Sequence, residues 1–304
     1  MPNPQAQQVV RSGLLGTMGC MDSKGGTKAA SWTPYSRAFR FEHELDRDPL
    51  FKLDSLAELA DRMDPSKIEV TDALSETVVT SRNTQRLLQD GPRTPGDIVR
   101  SIEAEGRWMS MRNIEADAAY STLIEKVFSE FKAGLPTDAE VFQPEGYVFI
   151  GASNATTPAH VDHEHNLFFH LRGEKAFTTG SFPDADLEHR TFEGMYSGEY
   201  GSTDFAPATP RTDKLQAGDG LYVPPNALHY VENSGSLAIS FSLVFHDAVL
   251  DRTAKTYLAN ARLRSIGLSP RPPGRSLALD RSKEAAVDGW RRLGPLRQKL
   301  QSLR

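Results

Sequence analysis

The stretch HVDHEHNLFFHLRGEK, residues 160–175, holds four of the chain's eight histidines. His160 and Asp162 are two residues apart, so on an extended chain they point to the same side. An imidazole and a carboxylate that converge supply two of the three donors of a 2-His-1-carboxylate facial triad. The segment AGDGLYVPPNALHYVEN, residues 217–233, can supply the third. Pro224, Pro225 and Asn226 break a strand there, and Asn tolerates the left-handed conformation of a tight turn. His229 then starts the next strand and projects inward beside the first pair. A different pair, His163 and His165, matches the H-x-H of other metal sites, but Leu167, Phe168, Phe169 and His170 stand where that arrangement wants a glutamate. The plain reading is a strand with polar decoration.

The elements that must position these residues fall into four segments. Residues 1–37 are rich in Gly, Ser, Gln and Lys without periodicity and read as flexible. Residues 38–135 read as mostly helical. LDSLAELADRM carries a capping-box signature at Ser55 and Glu58, and Thr94, Pro95 and Asp97 open another helix. DAAYSTLIEKVFSEFKAG places Tyr120, Leu123, Ile124, Val127 and Phe131 on one helical face, with Gly134 to close it. Over 136–250 the period changes to six short runs rich in β-branched and aromatic residues, EGYVFIGASN, HNLFFHLRG, EKAFTTGSF, GDGLYVPP, HYVENSG and LAISFSLVFH, which suggests an all-β sandwich or barrel. Within it, 180–214 reads as a long irregular insert, either a lid over a substrate or a solvent loop. Residues 251–304 return to helices.

Hydrophobic content of 38% and charged content of 25% suit a soluble globular protein. No apolar run approaches the ~20 residues of a membrane-spanning helix. A single cysteine, Cys20, cannot form an internal disulfide. These features make a cytoplasmic protein the expectation. Net charge is −5, yet residues 262–304 hold 11 Lys/Arg against 3 Asp/Glu. No nucleic-acid module accompanies that basic tail, so it is expected to dock on the chain's own acidic body or on a second subunit.

The spacing from Gly218 through Pro224 and His229 to Asn233 matches the second cupin motif, with Asn226 where a glycine is usual. Together with GYVFIGASNATTPAHVDHEHNLFFHLRGEK, it resembles the JmjC/cupin-like Fe(II)/2-oxoglutarate oxygenases, most closely the asparaginyl-hydroxylase type. The resemblance covers about 145–245 and is looser over GRWMSMRNIEADAAY. It implies a mainly β fold with flanking helices, a double-stranded β-helix (jelly-roll, cupin/JmjC) barrel. It implies iron bound by His160, Asp162 and His229. It further implies 2-oxoglutarate held by Lys175, fifteen residues after the first His, by Thr157, three before it, and in a pocket lined by Asn166. The chain departs from some members at Ala227 and Leu228, where aromatics precede the second His, and at Val244, where an Asn stands.

The residue types suit that chemistry. A facial triad leaves three adjacent positions on Fe(II), enough for the 2-oxo and carboxylate oxygens of 2-oxoglutarate and for dioxygen. A lysine meets the need of its far carboxylate for a cation; alternatively Lys175 is a plain strand-end lysine. The expected activity is hydroxylation of a small molecule or a protein side chain with release of succinate and CO2. The small molecule is favoured because the chain is short. Competing readings are a cupin metal oxygenase that does not use 2-oxoglutarate and a non-catalytic cupin-like binding or regulatory module. His170 reads equally as a pocket or a core histidine, and His189 and His246 as surface or rim. Trp290, Leu293 and Leu296 offer an apolar seam for a homodimer through the C-terminal helices.

Overall fold

The computed structural model describes residues 15–21, 27–29, 37–73, 93–135, 140–199 and 203–301. Its strands are β1 (Leu15–Met21), β2 (Thr27–Ala29), β3 (Phe39–His43), β4 (Ile68–Asp72), β5 (Arg107–Arg112), β6 (Val141–Gly151), β7 (Thr156–His160), β8 (His165–Gly180), β9 (Arg211–Gln216), β10 (Asp219–Val223) and β11 (Leu228–Asp247). Its helices are α1 (Leu53–Arg62), α2 (Pro95–Ser101), α3 (Ala118–Ala133), α4 (Ala185–Tyr196), α5 (Ala248–Ser265) and α6 (Leu277–Gln301).

Two long antiparallel strands, β8 and β11, organise the barrel. Their pairing runs from His165 opposite Phe245 to Gly180 opposite Leu228. The first half of β8 and the second half of β11 lie between β10 and β6. The other halves lie between β9 and β7. The result is two four-stranded sheets, β6–β11–β8–β10 and β7–β11–β8–β9, sharing their two central strands, which is the double-stranded β-helix. Rings from the two sheets meet inside it, with Phe168 and Phe177 centroids 5.2 Å apart. The larger sheet continues through β5 and β4 at one edge and through β3, β1 and β2 at the other.

Side-chain alternation assigns the two faces of the larger sheet. Leu167, Phe169, Phe241, Leu243 and Phe245 form one cluster with Leu56 and Leu59 of α1 and Tyr120, Ile124 and Phe131 of α3, so helices cover its outside. Phe168, Leu221 and Val223 line the interior with Phe177, Leu215 and Val231 of the smaller sheet. Burying each of these large apolar side chains contributes about 1.5–3 kcal/mol.

Six expected core runs become fewer, longer strands. HNLFFHLRG and EKAFTTGSF are one strand that turns at Gly173, which has φ 82°. HYVENSG and LAISFSLVFH are one strand whose pairing with β8 is irregular between Ser234 and Ser240. A Cβ at Gly173 would sit 2.6 Å from the Leu237 carbonyl oxygen. Gly173→Ala is therefore expected to lower the unfolding free energy by roughly 1–3 kcal/mol in urea titrations.

The flanking segments differ from expectation in detail. Ser55 and Glu58 do not form a capping box, because α1 starts at Leu53 after a short 3-10 turn whose own cap is Asp48. Thr94 and Asp97 do form one, with reciprocal bonds of 3.2 and 2.9 Å. The segment 38–135 contains the three helices and also β3, β4 and β5, strands too short to show a period against their surroundings. The 180–214 insert is not irregular throughout. Asp184 caps α4 by accepting from the Leu187 amide at 2.7 Å, and Phe192 packs on Phe182 and Tyr257. The expectation of a flexible 1–37 falls mostly outside the described residues; within it, β1 and β2 are strands.

At the C-terminal end, Arg264 of the basic segment donates to Glu193 at 2.6 Å, a dock on the chain's own acids, and Asp288 within that segment pairs with Lys255 of α5 at 2.8 Å. Trp290 lies under the Arg262 guanidinium of the same chain, 3.7 Å from it. The side chains of Leu293 and Leu296 lie outside the described residues. No helix among the described residues is long and apolar enough to cross a membrane.

Candidate metal centre

The register brings the three predicted ligands together. His160, the last residue of β7, pairs directly with His229 at the start of β11. Asp162 follows in the β7–β8 turn, where its carbonyl accepts from the Asn226 amide at 2.8 Å and so ties the two ligand-bearing turns together. Asn226 has φ 63°, the left-handed turn conformation expected of it. The His160 and His229 ring centroids are 4.1 Å apart. Asp162 Oδ1 lies 3.8 Å from His160 Nε2, and Oδ2 lies 3.5 Å from His229 Nε2. One donor atom from each residue falls within 4.8 Å of the other two.

Hydrogen bonds orient both imidazoles for ligation. His160 Nδ1 donates to the Pro158 carbonyl at 2.7 Å, and His229 Nδ1 donates to the Ala227 carbonyl at 2.8 Å. A carbonyl only accepts, so Nδ1 of each ring carries a proton and Nε2 faces the shared centre. Backbone partners of this kind fix tautomer and ring orientation in metal sites. Burial, then His160, hold the His229 imidazolium pKa down to about 4. Burial works against the Asp162 carboxylate, but His160 and His229 outweigh it and keep its pKa below the ordinary value. Neutral imidazole and ionised carboxylate are the forms that bind a metal.

The other predicted site residues line the interior beyond this centre. Lys175 is 6% exposed. Its ammonium lies over the Phe168 ring at 5.2 Å and makes no ion pair or hydrogen bond among the described residues. Burial alone pushes its pKa down to about 7. Thr157 pairs with Val231, an interior residue, and so shares its face. Asn166 pairs with Val223, also interior. Its Oδ1 is buried with no hydrogen-bond partner, as is Oγ of Ser242, which pairs with Phe168. A buried cation without an anion and two orphaned polar atoms are costly unless a polar ligand meets them.

The remaining histidines separate. His165 is fully buried, 2.8 Å from the Tyr222 hydroxyl and 3.3 Å from Asp247, and stacks on Phe245. His163 is half exposed and groups with Glu164 and His246. The H-x-H pair is therefore not assembled. His170 is a core residue: Nε2 donates to the Gly173 carbonyl at 3.0 Å and Nδ1 accepts from Ser240 at 3.1 Å. Burial, then the nearby Lys175, hold its pKa down to about 3. His189 bonds the Tyr257 hydroxyl at 3.0 Å.

Sequence reasoning missed Tyr147, Ser242, Glu164 and the fixed position of Tyr196. Tyr147 pairs with Ser242 and so faces the interior, its hydroxyl donating to Glu145 at 3.2 Å. The alternation of Tyr147 and Phe149 against Val148 and Ile150 was the available signal. Tyr196 donates to Asn226 Oδ1 at 3.0 Å, so α4 is fastened to the turn that presents His229. Tyr196→Phe is expected to cost about 1 kcal/mol and to speed amide exchange in α4 without loss of metal binding.

No family model and no curated protein matches the sequence. Among solved structures, the X-ray structure of E. coli ycfD aligns with 86% of this chain and 65% of its own, at 12% identity and a TM-score of 0.45. A cysteine peptidase, Peruvianin-I from Thevetia peruviana latex, aligns with 33% of this chain and 49% of its own, at 14% identity and a TM-score of 0.24. This chain thus spans less than two thirds of either structure, and likenesses this slight carry no functional argument. What the molecule itself presents is a jelly-roll barrel with a His160–Asp162–His229 group that could hold a metal ion.

Proposed function

We propose that this chain is an Fe(II)- and 2-oxoglutarate-dependent oxygenase acting on a small molecule or a protein side chain. The observation that carries the reading is the pairing of two features in one barrel. A His-Asp-His group could hold a metal ion, and a buried Lys175 without an ion pair among the described residues lies in the same barrel interior. When bound, the metal and cosubstrate would supply oxidation of a C–H bond, driven by dioxygen and loss of CO2 from the cosubstrate.

Each residue of the chain has a defined task in this reading. His160, Asp162 and His229 would hold the metal, their Nδ1 bonds keeping both rings aimed. Lys175 would meet the distal carboxylate of 2-oxoglutarate with a charge-assisted bond. Thr157 and Asn166 would contact or line the same pocket, and Ser242 supplies a further free polar atom there. Phe168, Phe177 and Val231 exclude water from around the ammonium, which strengthens its attraction for an anion.

The test is an anaerobic titration of Fe(II)-loaded protein with 2-oxoglutarate, read by the weak visible charge-transfer band of a chelated 2-oxo acid. A saturable band is the expected result. Iron binding without a band rejects 2-oxoglutarate, and no metal binding rejects the enzyme. The affinity is also expected to fall about tenfold per pH unit above about 7. The free site loses the Lys175 proton there and must regain it when the anion binds. Calorimetry in buffers of different ionisation heat would record that proton uptake.

A further inference from the structure

A second group of donors stands beside the first, and nothing in the proposed activity uses it. His163 and Glu164 follow Asp162 in the β7–β8 turn, and His246 comes from the far end of β11. Near His246, β6 carries one residue more than β11, with Gln143 at φ 53°. A bulge of this kind re-aims neighbouring side chains. The donor atoms of His163, Glu164 and His246 all lie within 4.8 Å of one another. His163 Nε2 is 3.1 Å from Glu164 Oε1, near the ~3.3 Å edge of a tetrahedron of ligands about 2.0–2.1 Å from a zinc-like ion.

Charge points the same way. The Glu164 side chain is 13% exposed, and no Lys or Arg pairs with it among the described residues. The Glu145 carboxylate of β6 is held by Asn113 at 2.8 Å and by Tyr147 at 3.2 Å. The Asp251 carboxylate faces His246 Nδ1 at 3.8 Å.

We propose that His163, Glu164 and His246 form a second divalent-cation site, distinct from the His160–Asp162–His229 centre. Two imidazoles and a carboxylate suit a first-row ion of the zinc type rather than Mg2+ or Ca2+. Three protein ligands leave a fourth tetrahedral position for water or a substrate oxygen. The ion would supply the cation that the largely buried Glu164 carboxylate lacks among the described residues. The proposal stands whether or not the neighbouring centre uses 2-oxoglutarate.

Metal-stripped protein titrated with Co2+, followed by calorimetry and visible absorption, tests it. The wild type is expected to bind two equivalents, H163A/H246A one, and H160A/H229A one. The equivalent retained by H160A/H229A should show the intense visible bands of four-coordinate Co2+. E164Q is expected to weaken that equivalent at least tenfold. A wild-type stoichiometry of one, or a second equivalent that survives H163A/H246A, overturns the proposal. Loss of cobalt from H160A/H229A with the fold intact by circular dichroism overturns it as well. Failure of the 2-oxoglutarate titration would leave these stoichiometries unchanged, so the two readings fail separately.

Discussion

Lys175→Met should make the ligand-free protein more stable and, at the same time, blind to 2-oxoglutarate. The ammonium is buried with a Phe168 ring and no anion, and burial drops its pKa from 10.5 to about 7. One pH unit of such a depression is worth about 1.4 kcal/mol, so the lysine costs the empty fold roughly 4 kcal/mol near pH 7. Between about 7 and 10.5 the unfolded chain binds more protons than the folded one. Wild-type stability should therefore rise with pH across that window, and the Met variant should lose that slope. Methionine fills similar space with no charge to desolvate, so a gain of roughly 2–4 kcal/mol is expected. The same change removes the partner of a carboxylate, and affinity for 2-oxoglutarate should fall roughly 100-fold or more. Urea unfolding and the charge-transfer titration read the two halves. A destabilised variant that still binds the cosubstrate would make Lys175 a structural residue and remove the main support for the proposed function.

His160→Ala and His165→Ala should behave as opposites although five residues separate them. His160 turns its Nε2 toward Asp162 and contributes little to the core, so under the proposed function its loss should reduce Fe(II) affinity at least 100-fold. Stability should move by no more than about 1 kcal/mol. His165 is fully buried on Phe245 and bridges the Tyr222 hydroxyl and Asp247. Removing it leaves a cavity and buried polar atoms without their partner, a loss of roughly 2–4 kcal/mol. Metal affinity in that variant should stay within a few-fold of wild type when measured below its unfolding transition. If His165→Ala abolished metal binding while His160→Ala did not, the ligand assignment would be wrong.

The sequence by itself determined which donor types can meet at the candidate centre, and it indicated the class of fold. His160 and Asp162 share a face because a strand repeats every two residues. Asn226 sits in the left-handed turn that its residue type permits and presents His229. The helical face of Tyr120, Leu123, Ile124, Val127 and Phe131 is buried as its 3.6-residue period requires. These are local properties, written in neighbouring residues.

Only the tertiary structure decided which faces meet. Asn166 and Phe168 point into the barrel, and strict alternation from them would send Lys175 outward. It points inward because the pairing of β8 and β11 is irregular around Gly173, where the chain passes from one sheet to the other. That irregularity reverses the parity of every later residue in β8, and a one-residue slip anywhere before it would do the same. The fates of His163 and His165 were hidden for a similar reason. They share a parity in sequence, yet one lies in a turn beside His246, 83 positions away, and the other begins a strand under α3. Long-range register, not local composition, assigns one to the barrel mouth and the other to the core.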